Sequence, residues 1–337
     1  MDTQTLSSVA KSMVAAGKGI LAADESHKTC QKRFDSVGIE FTEENRRKYR
    51  QTLITAEGLE EFISGIILFD ETLRQKADDG TSFVDILNKK NILPGIKVDA
   101  GAKPLALHEG EKVTEGLDGL RERLIEYKEL GAQFAKWRSV ITIGKDIPSQ
   151  ACLEANVHGQ ARYAALCQEA GIVPIVEPEV LINGEHSIER CYEITTLTLK
   201  MLYQQLKVQG VYLPGTVLKA SMVIAGKESP EQSSVQDVAE MTVKCLRESV
   251  PSEVPGIVFL SGGQGDIQAT ENLNMMNKLH DDLPWNLSFS YGRALQAPAL
   301  KLWSEGKSDE AAQALVHRAK MNGLATLGKY GSELENE

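Results

Sequence analysis

The sequence has few cysteines, and none of them stands in a Cys-x-x-Cys pair. The five cysteines are odd in number and widely spaced, which argues against a disulfide framework and favours reduced thiols. The six histidines show no His-x-x-x-His or similar spacing of ligands. Since zinc sites are usually built from such closely spaced ligands, the sequence predicts no metal site.

Long apolar runs and an excess of positive charge are also lacking. No run approaches the length that crosses a bilayer, and Lys11 and Lys18 interrupt the N-terminal residues in a way that a secretory signal would not allow. The net charge is −10 and the pI is about 5.3, whereas nucleic-acid binders are usually basic. We expect a cytoplasmic protein that binds neither nucleic acid nor membrane, although a local Lys and Arg cluster can still bind an anion.

The chain is built from a recurring unit: a short apolar run, a polar residue at its end, and a helical stretch. This alternation predicts parallel strands, and eight units fit a closed (β/α)8 TIM barrel. The alternative is an open doubly wound sheet, which should carry a glycine-rich fingerprint after its first strand, where this chain has Ala-Ala-Asp-Glu-Ser. The runs are Gly19–Asp24, Ser64–Asp70, Pro94–Asp99, Ala132–Arg138, Ile172–Glu179, Thr216–Met222, Pro255–Ser261 and Trp285–Gly292.

No Pro-, Gly- or Ser-rich linker divides the chain, so we expect one barrel domain over residues 1–337, with a short, solvated polar tail at 331–337. Capping residues mark helices between the strands. Ser187 is a candidate N-cap, and Gly171 and Gly210 are candidate C-terminal glycines. The predicted helices cover 151–170, 188–209, 234–249 and 308–324.

Side chains alternate along a strand, so each run predicts one inward face. We expect the polar members of these faces to meet at the C-terminal mouth, where barrel enzymes hold their active sites. The predicted inward sets are Ile20, Ala22 and Asp24; Lys97 and Asp99; Phe134, Lys136 and Arg138; Val173, Ile175, Glu177 and Glu179; Val217, Lys219 and Ser221; Ile257, Phe259 and Ser261; and Ser288 and Ser290.

Three of these charged residues have apolar neighbours on both sides: Lys136, Glu177 and Lys219. An unpaired ammonium is costly to bury in such a run. One such residue could be half of a structural ion pair, but several on one rim indicate a functional site. In contrast, Asp70, Glu71 and Asp99 are interpreted as ordinary solvated strand ends.

Glycine-rich loops follow the seventh and eighth runs, at Leu260–Gly265 and Ser290–Arg293. In many barrels these two loops cradle a phosphate with backbone N–H groups. Arg293 can add a bidentate contact to phosphate oxygens. The placement of both loops therefore predicts a phosphate site.

Several long segments together resemble the class I, Schiff-base-forming fructose-1,6-bisphosphate aldolases. The similarity runs in register from about residue 10 to Tyr330. It implies cleavage of fructose 1,6-bisphosphate to dihydroxyacetone phosphate and glyceraldehyde 3-phosphate in glycolysis and gluconeogenesis, with sugar phosphates as ligands, no cofactor or metal, and a homotetramer. The segments are Gly17–Ser26, Thr42–Arg47, Lys76–Gly80, Phe134–Arg138, Gly171–Glu179, Leu260–Gln264 and Phe289–Gln296.

The resemblance also implies residue roles. Lys219 matches the lysine that forms the imine, and Glu177 matches the carboxylate that moves protons during imine formation and bond cleavage. Burial and the nearby Lys136 cation should both favour the neutral amine of Lys219 that attacks a ketone. Asp24, Lys136 and Glu179 match further catalytic positions, and the positions that hold sugar hydroxyls or phosphates are Ser26, Thr29, Arg33, Lys97, Arg138, Ser261, Gly262, Ser290, Gly292 and Arg293.

One departure concerns the C-terminus. Animal members continue beyond the Gly-Lys-Tyr that matches Gly328–Tyr330 and end in a tyrosine that assists proton exchange on the enamine. Here residue 337 is a glutamate, so another donor, such as water or a site carboxylate, is expected. The alternatives are another Schiff-base sugar-phosphate aldolase, or a scaffold that has kept the fold without the chemistry; a metal-dependent aldolase is disfavoured.

Overall fold

The computed structural model describes residues 2–336. Its strands are β1 (Gly19–Ala23), β2 (Ile63–Leu68), β3 (Leu93–Lys97), β4 (Ala102–Pro104), β5 (Lys112–Thr114), β6 (Phe134–Ile141), β7 (Val173–Val180), β8 (Val217–Ala220), β9 (Gly256–Phe259) and β10 (Asn286–Tyr291). Eight of them form one closed parallel barrel in the order β1-β2-β3-β6-β7-β8-β9-β10, and β4 pairs antiparallel with β5 outside it. The predicted TIM barrel is confirmed, and each predicted run overlaps one barrel strand to within a few residues.

Helices connect the barrel strands. They are α1 (Thr3–Met13), α2 (His27–Asp35), α3 (Glu43–Thr55), α4 (Asp70–Arg74), α5 (Phe83–Lys89), α6 (Leu120–Glu129), α7 (Gln150–Glu169), α8 (Ile188–Val208), α9 (Val235–Ser249), α10 (Asp266–Leu279), α11 (Arg293–Ser304) and α12 (Ser308–Ala325), with 3-10 turns at Leu59–Glu61, Leu213–Gly215 and Ser332–Asn336. The predicted ends follow from local chemistry. The Ser187 side chain accepts from the Arg190 backbone N–H, and Gly171 and Gly210 take φ values of 71° and 70°.

The barrel interior is apolar at its N-terminal end. Ile20, Ile67, Phe134, Val173 and Val217 pack together there, and α1 adds side chains that close this end of the barrel. The opposite faces of the strands belong to a larger cluster beneath the helices. Polar side chains on the inward face can therefore emerge only at the C-terminal mouth.

The seventh run departs from the prediction in one respect. Val258 packs with the interior cluster, whereas Ile257 and Phe259 lie in the outer cluster. All three residues are apolar, so alternation alone could not choose the inward face. Ser261 nevertheless reaches the cavity, because β9 ends at Phe259 and the strand alternation no longer applies to residue 261.

The polar tail, which was predicted to be short and solvated, is partly exposed and also contacts α12. Residues Ser332–Asn336 form a 3-10 turn, and the Glu335 carboxylate lies 2.5 Å from the buried guanidinium of Arg318. The hydroxyl of Tyr330 donates to the same carboxylate at 2.9 Å. The tail is thus held against α12 as far as residue 336. Within residues 2–336, no helix has the length and apolarity needed to span a membrane.

Candidate active site

A polar cavity of about 830 Å³ opens at the carboxyl ends of the barrel strands. Every catalytic and ligand-binding residue predicted from the sequence lines this one cavity, although these residues come from five different strands and from the segments that follow β1, β9 and β10. Parallel strands bring their carboxyl ends to one mouth. The fold therefore gathers these residues into one place, and their individual roles remain predictions.

Three lysines and three carboxylates occupy the cavity floor. The Lys219 Nζ lies 3.1 Å from Glu177 Oε1, and the Lys97 Nζ lies 2.6 Å from Asp99 Oδ1. Lys136 lies between these pairs. Its Nζ is 2.7 Å from Asp24 Oδ2, 3.5 Å from Glu177 Oε2 and 3.9 Å from Asp99 Oδ2.

The positions of these groups follow from the strand register. Lys136 on β6 pairs with Lys97 on β3 and with Ile175 on β7, so its side chain points inward beside those of Lys97 and Glu177. Lys136, Glu177 and Lys219 are 3%, 3% and 4% exposed, respectively. Charges this deeply buried are stable only when they are paired with opposite charges.

The pairing determines which groups stay charged. Burial disfavours the Lys136 cation, but the carboxylates of Asp24, Glu177 and Asp99 outweigh it and raise the pKa of Lys136 above its usual value. Burial likewise opposes ionisation of Asp24, but Lys136, Lys219 and Lys97 together hold the pKa of Asp24 well below its usual value. Near neutral pH the site therefore holds a fixed ammonium beside a fixed carboxylate.

One oxygen of Glu177, which lies 3.5 Å from Lys136 Nζ, is still able to accept a hydrogen bond from a ligand. Glu177 Oε1 contacts Lys219, whereas Oε2 makes no hydrogen bond to any residue between 2 and 336. Ser290 Oγ is buried at the same mouth and likewise lacks a hydrogen-bond partner within that range. Buried polar atoms are rarely left unpaired. Both atoms are thus suited to contact hydroxyl groups of a substrate.

A second charged pair lies at the rim, where Arg138 contacts Glu179 through its Nε. Burial, the largest single effect, lowers the pKa of Arg138, but the carboxylates of Glu179, Glu177 and Asp99 together outweigh it and raise the pKa above its usual value. The Arg138 side chain remains 41% exposed toward the cavity mouth. A guanidinium with donors still free can bind sugar or phosphate oxygens.

The loop after β9 has the geometry of an anion site. Gly262 and Gly263 have φ values of 55° and 97°, in the left-handed region that favours glycine. A side chain on Gly263 would come within 3.6 Å of Arg293 Nη2. The loop leads into the N-terminus of α10, where backbone N–H groups favour negative charge.

A further polar group lies after β1, the barrel neighbour of β10. Ser26 and Thr29 lie 3.3 Å apart through their hydroxyl oxygens, and Arg33 Nη2 lies 3.7 Å from the position that a Gly292 side chain would take. The Arg33 guanidinium also contacts Glu25. The cavity therefore has a cationic group after β1, around Arg33, in addition to the one around Arg293.

The interpretation of Asp99 as a solvated strand end was wrong. Asp99 is buried against Lys97 and Lys136, and only its position two residues after Lys97 on the same face hinted at this. In contrast, Asp70 begins α4 at the surface as expected and pairs with Arg74. Glu71 also lies at a strand end, where it pairs with Arg46.

Sequence reasoning missed two further residues at the cavity. Glu25 is buried between Arg33 and Arg50, whose charges lower its pKa against the opposing effect of burial. Lys227 lines the cavity near Gly263. Neither had a local signal, because both positions depend on segments that are distant in the sequence. No grouping of three His, Cys, Asp or Glu residues in the described part of the chain could hold a metal ion.

Comparison with known proteins identifies the family. The family model described as fructose-bisphosphate aldolase class-I matches residues 5–337. The chain belongs to the class-I fructose-bisphosphate aldolase family. Members of this family are lyases that cleave fructose 1,6-bisphosphate through a lysine Schiff base, and this is the activity of the chain.

Individual relatives cover nearly the whole chain. A probable fructose-bisphosphate aldolase class 1 from Xanthomonas campestris is 60% identical over 333 residues, which are 98% of this chain and 99% of that protein. Fructose-bisphosphate aldolase C from Carassius auratus is 51% identical, with 97% of this chain and 91% of that protein covered. The solved Plasmodium falciparum fructose-bisphosphate aldolase, in a complex with TRAP and an inhibitor, aligns with a TM-score of 0.96 at 48% identity, covering 98% of this chain and 96% of that one.

Proposed function

We propose that Lys219 forms the imine in the aldolase reaction and that Glu177 moves the protons. The observation that supports this is the 3.1 Å contact between Lys219 Nζ and Glu177 Oε1 on the buried floor of the cavity. An amine and a proton carrier at hydrogen-bond distance form the minimal pair for carbinolamine chemistry. Glu177 Oε2, which makes no hydrogen bond within residues 2–336, can contact the substrate at the same time.

The first half of the reaction joins the substrate to the enzyme. Neutral Lys219 attacks the C2 ketone and forms a carbinolamine. Glu177, which has taken the proton that Lys219 gives up before its attack, passes it to the departing C2 hydroxyl. The hydroxyl leaves as water, and the iminium remains. Lys136, which carries a stable positive charge beside Asp24 and Glu177, keeps Asp24 ionised and stabilises the anionic oxygen that develops at C2.

In the second half, the iminium accepts the electron pair of the C3–C4 bond. A carboxylate, Glu177 or Asp24, removes the C4 hydroxyl proton, and glyceraldehyde 3-phosphate leaves. The enamine is then protonated at C3, and water hydrolyses the imine to release dihydroxyacetone phosphate. Glu179 takes part by holding Arg138 in position at the rim.

The two cationic groups that line the cavity, around Arg293 and around Arg33, fit the two phosphates of the substrate. Strand β9 is the neighbour of β8, which carries Lys219, so we place the C1 phosphate at Ser261, Gly262 and Arg293, close to the C2 carbon. Ser290 and Gly292 lie beside this end, on the neighbouring strand β10. We place the C6 phosphate at the group that follows β1, where Ser26, Thr29 and Arg33 lie, and Lys97 contacts the sugar between the two phosphates. Two anchored phosphates hold the reacting carbons in the correct orientation.

The test of this assignment is reductive trapping. The protein is incubated with dihydroxyacetone phosphate and borohydride in EDTA, and the modified peptide is mapped by mass spectrometry. We expect a stable adduct on Lys219 and none in a Lys219→Arg control of the same fold. An adduct on Lys136 or Lys97 instead, or no adduct in the folded protein, would refute the assignment.

We also propose that the reaction needs no metal, that the protein is a cytoplasmic homotetramer and that its ligands are sugar phosphates. One relative from Arabidopsis thaliana, at 50% identity, is named a cytosolic fructose-bisphosphate aldolase, and the tetramer is implied by the family resemblance. Light scattering on the purified protein would give four times the mass of the 36.9 kDa chain. A monomer mass at micromolar concentration would contradict the proposed assembly.

A further inference from the structure

Lys227 lies on a segment that is held firmly against the loop after β7. The Lys227 backbone N–H donates to the Ile182 carbonyl at 2.8 Å, and the backbone N–H groups of Gly226 and Glu228 donate to His186 and Gly184. The Glu228 carboxylate in turn accepts from the Gly184 backbone N–H. These contacts on both sides of Lys227 fix the direction in which its side chain leaves the backbone.

A close approach of two glycines reinforces this placement. A side-chain carbon on Gly226 would come within 2.1 Å of the Gly184 carbonyl oxygen, a distance that no real contact tolerates. Only glycine therefore lets the two segments meet. The Lys227 side chain is consequently held at the cavity mouth, where it is exposed to solvent and lines the opening.

The ammonium of Lys227 reaches the same point as Arg293. Lys227 Nζ lies 3.5 Å, and Arg293 Nη2 lies 3.6 Å, from the position that a side-chain carbon on Gly263 would occupy. Within residues 2–336, neither cation has a carboxylate partner within ion-pair distance. Two cations without a carboxylate partner lie beside a glycine-rich loop, and the space between them is suited to a dianion.

We infer that Lys227 is a phosphate-binding residue, which contacts the C1 phosphate of the substrate together with Arg293 and the Ser261–Gly263 loop. This inference rests on the proposed function, because the substrate phosphate is placed by the imine at Lys219. Lys227 comes from the loop after β8 and Arg293 from the loop after β10, so they contact the loop after β9 from its two sides. The C1 phosphate thus receives positive charge from both neighbouring loops.

The condensation reaction separates the two phosphate ends within one assay. Dihydroxyacetone phosphate supplies the C1 phosphate, and glyceraldehyde 3-phosphate supplies the C6 phosphate. A Lys227→Met substitution keeps the length of the side chain and removes its charge. We expect the KM for dihydroxyacetone phosphate to rise about tenfold, as for the loss of one charge-assisted hydrogen bond, while the KM for glyceraldehyde 3-phosphate and kcat both stay within about twofold.

Two control variants accompany this measurement. Lys227→Arg keeps the charge and should retain most of the affinity. Lys301→Met removes an exposed lysine on α11, changes the net charge equally and should leave both KM values unchanged. If Lys227→Met alters neither KM, or raises only that for glyceraldehyde 3-phosphate, the inference is overturned.

Failure of the proposed function gives a different result. In that case, borohydride trapping with dihydroxyacetone phosphate would leave Lys219 unmodified in the unsubstituted protein as well, and the inference about Lys227 would fall with it. An adduct on Lys219 together with an unchanged KM in Lys227→Met would refute the phosphate role of Lys227 alone.

Discussion

Replacing Lys136 with methionine tests whether the cavity floor depends on a shared cation. Lys136 is the one floor lysine whose Nζ lies within 4 Å of all three carboxylates, those of Asp24, Glu177 and Asp99. At 2.7 Å and an effective dielectric constant of about 20, its attraction to Asp24 alone is about 6 kcal/mol before desolvation is subtracted. Removing one partner of a buried charge pair has a net cost of about 3–5 kcal/mol. We therefore expect the free energy of unfolding of Lys136→Met to fall by about 3 kcal/mol at pH 7.

The loss should depend on pH, with a definite sign. In the unsubstituted protein the pKa of Asp24 is lowered, so its stabilising contribution is present above the usual carboxyl pKa and is lost only as the pH falls through the lowered value. The pKa of Lys136 is raised, so its contribution is complete below the usual lysine value and is lost as the pH rises through the raised one. Both contributions are therefore at their maximum between pH 5 and pH 8.

Without Lys136, three carboxylates share two lysines, and one carboxylate should take up a proton on folding. The stability deficit of Lys136→Met should then shrink as the pH is lowered from 8 to 5, by up to about 1.4 kcal/mol per pH unit. Guanidinium unfolding at several pH values measures this slope. Adding Asp24→Asn should recover part of the loss, because it removes the unpaired charge.

Lys48→Met is the matched control. Lys48 pairs with Glu44 at 3.3 Å on α3, and both side chains are more than half exposed. Exposed pairs of this kind contribute little to stability, so no measurable change is expected at any pH. A Lys136→Met variant as stable as Lys48→Met, or one whose deficit is constant between pH 5 and pH 8, would refute the idea of a shared buried cation.

Three further predictions follow from the same geometry. Glu177→Gln should lower kcat about 10²- to 10⁴-fold while far-UV circular dichroism is unchanged, since it removes a proton carrier; a loss below tenfold would assign the proton transfer elsewhere. Deleting residues 332–337 should leave kcat within about twofold but reduce unfolding stability by about 2 kcal/mol, because the buried Arg318 loses Glu335; a large loss of activity would show that the tail serves catalysis. Dialysis against EDTA should leave activity unchanged, and a loss that added Zn²⁺ restores would contradict a metal-free imine mechanism.

The strand positions could be predicted from the sequence because they depend on local patterns of apolar and polar residues. Apolar runs that end in polar residues mark the strands, and alternation placed Lys136, Glu177 and Lys219 on inward faces. The rule failed in the apolar triplet Ile257, Val258 and Phe259, where it had nothing to distinguish. Two serines that were expected at the mouth do not line the cavity and donate to backbone carbonyls instead, Ser221 to Val180 and Ser288 to Lys18. Similarly, Ser187 and Gly210 ended α8 as predicted, because helix caps are determined by adjacent residues.

Burial of charge could not be predicted in the same way, because it depends on neighbours from other strands. Asp99 follows the end of a strand, as many solvated residues do, and only Lys136 on β6 together with Lys97 keeps it buried. The Lys227 side chain reaches the cavity because Gly184 and Gly226 approach each other across two loops. The docked tail depends on Arg318, in the preceding helix.

The structure also distinguishes Lys136 from Lys219, which the alternation of side chains along the strands cannot do. Lys136 and Lys219 are equally buried on inward strand faces, and either could be taken for the nucleophile. However, Lys136 contacts three carboxylates within 4 Å, whereas Lys219 contacts Glu177 alone. Lys219 therefore has fewer ion-pair contacts to lose than Lys136. The uneven sharing of carboxylates supports the proposal that Lys219 is the nucleophile and that Lys136 keeps its positive charge.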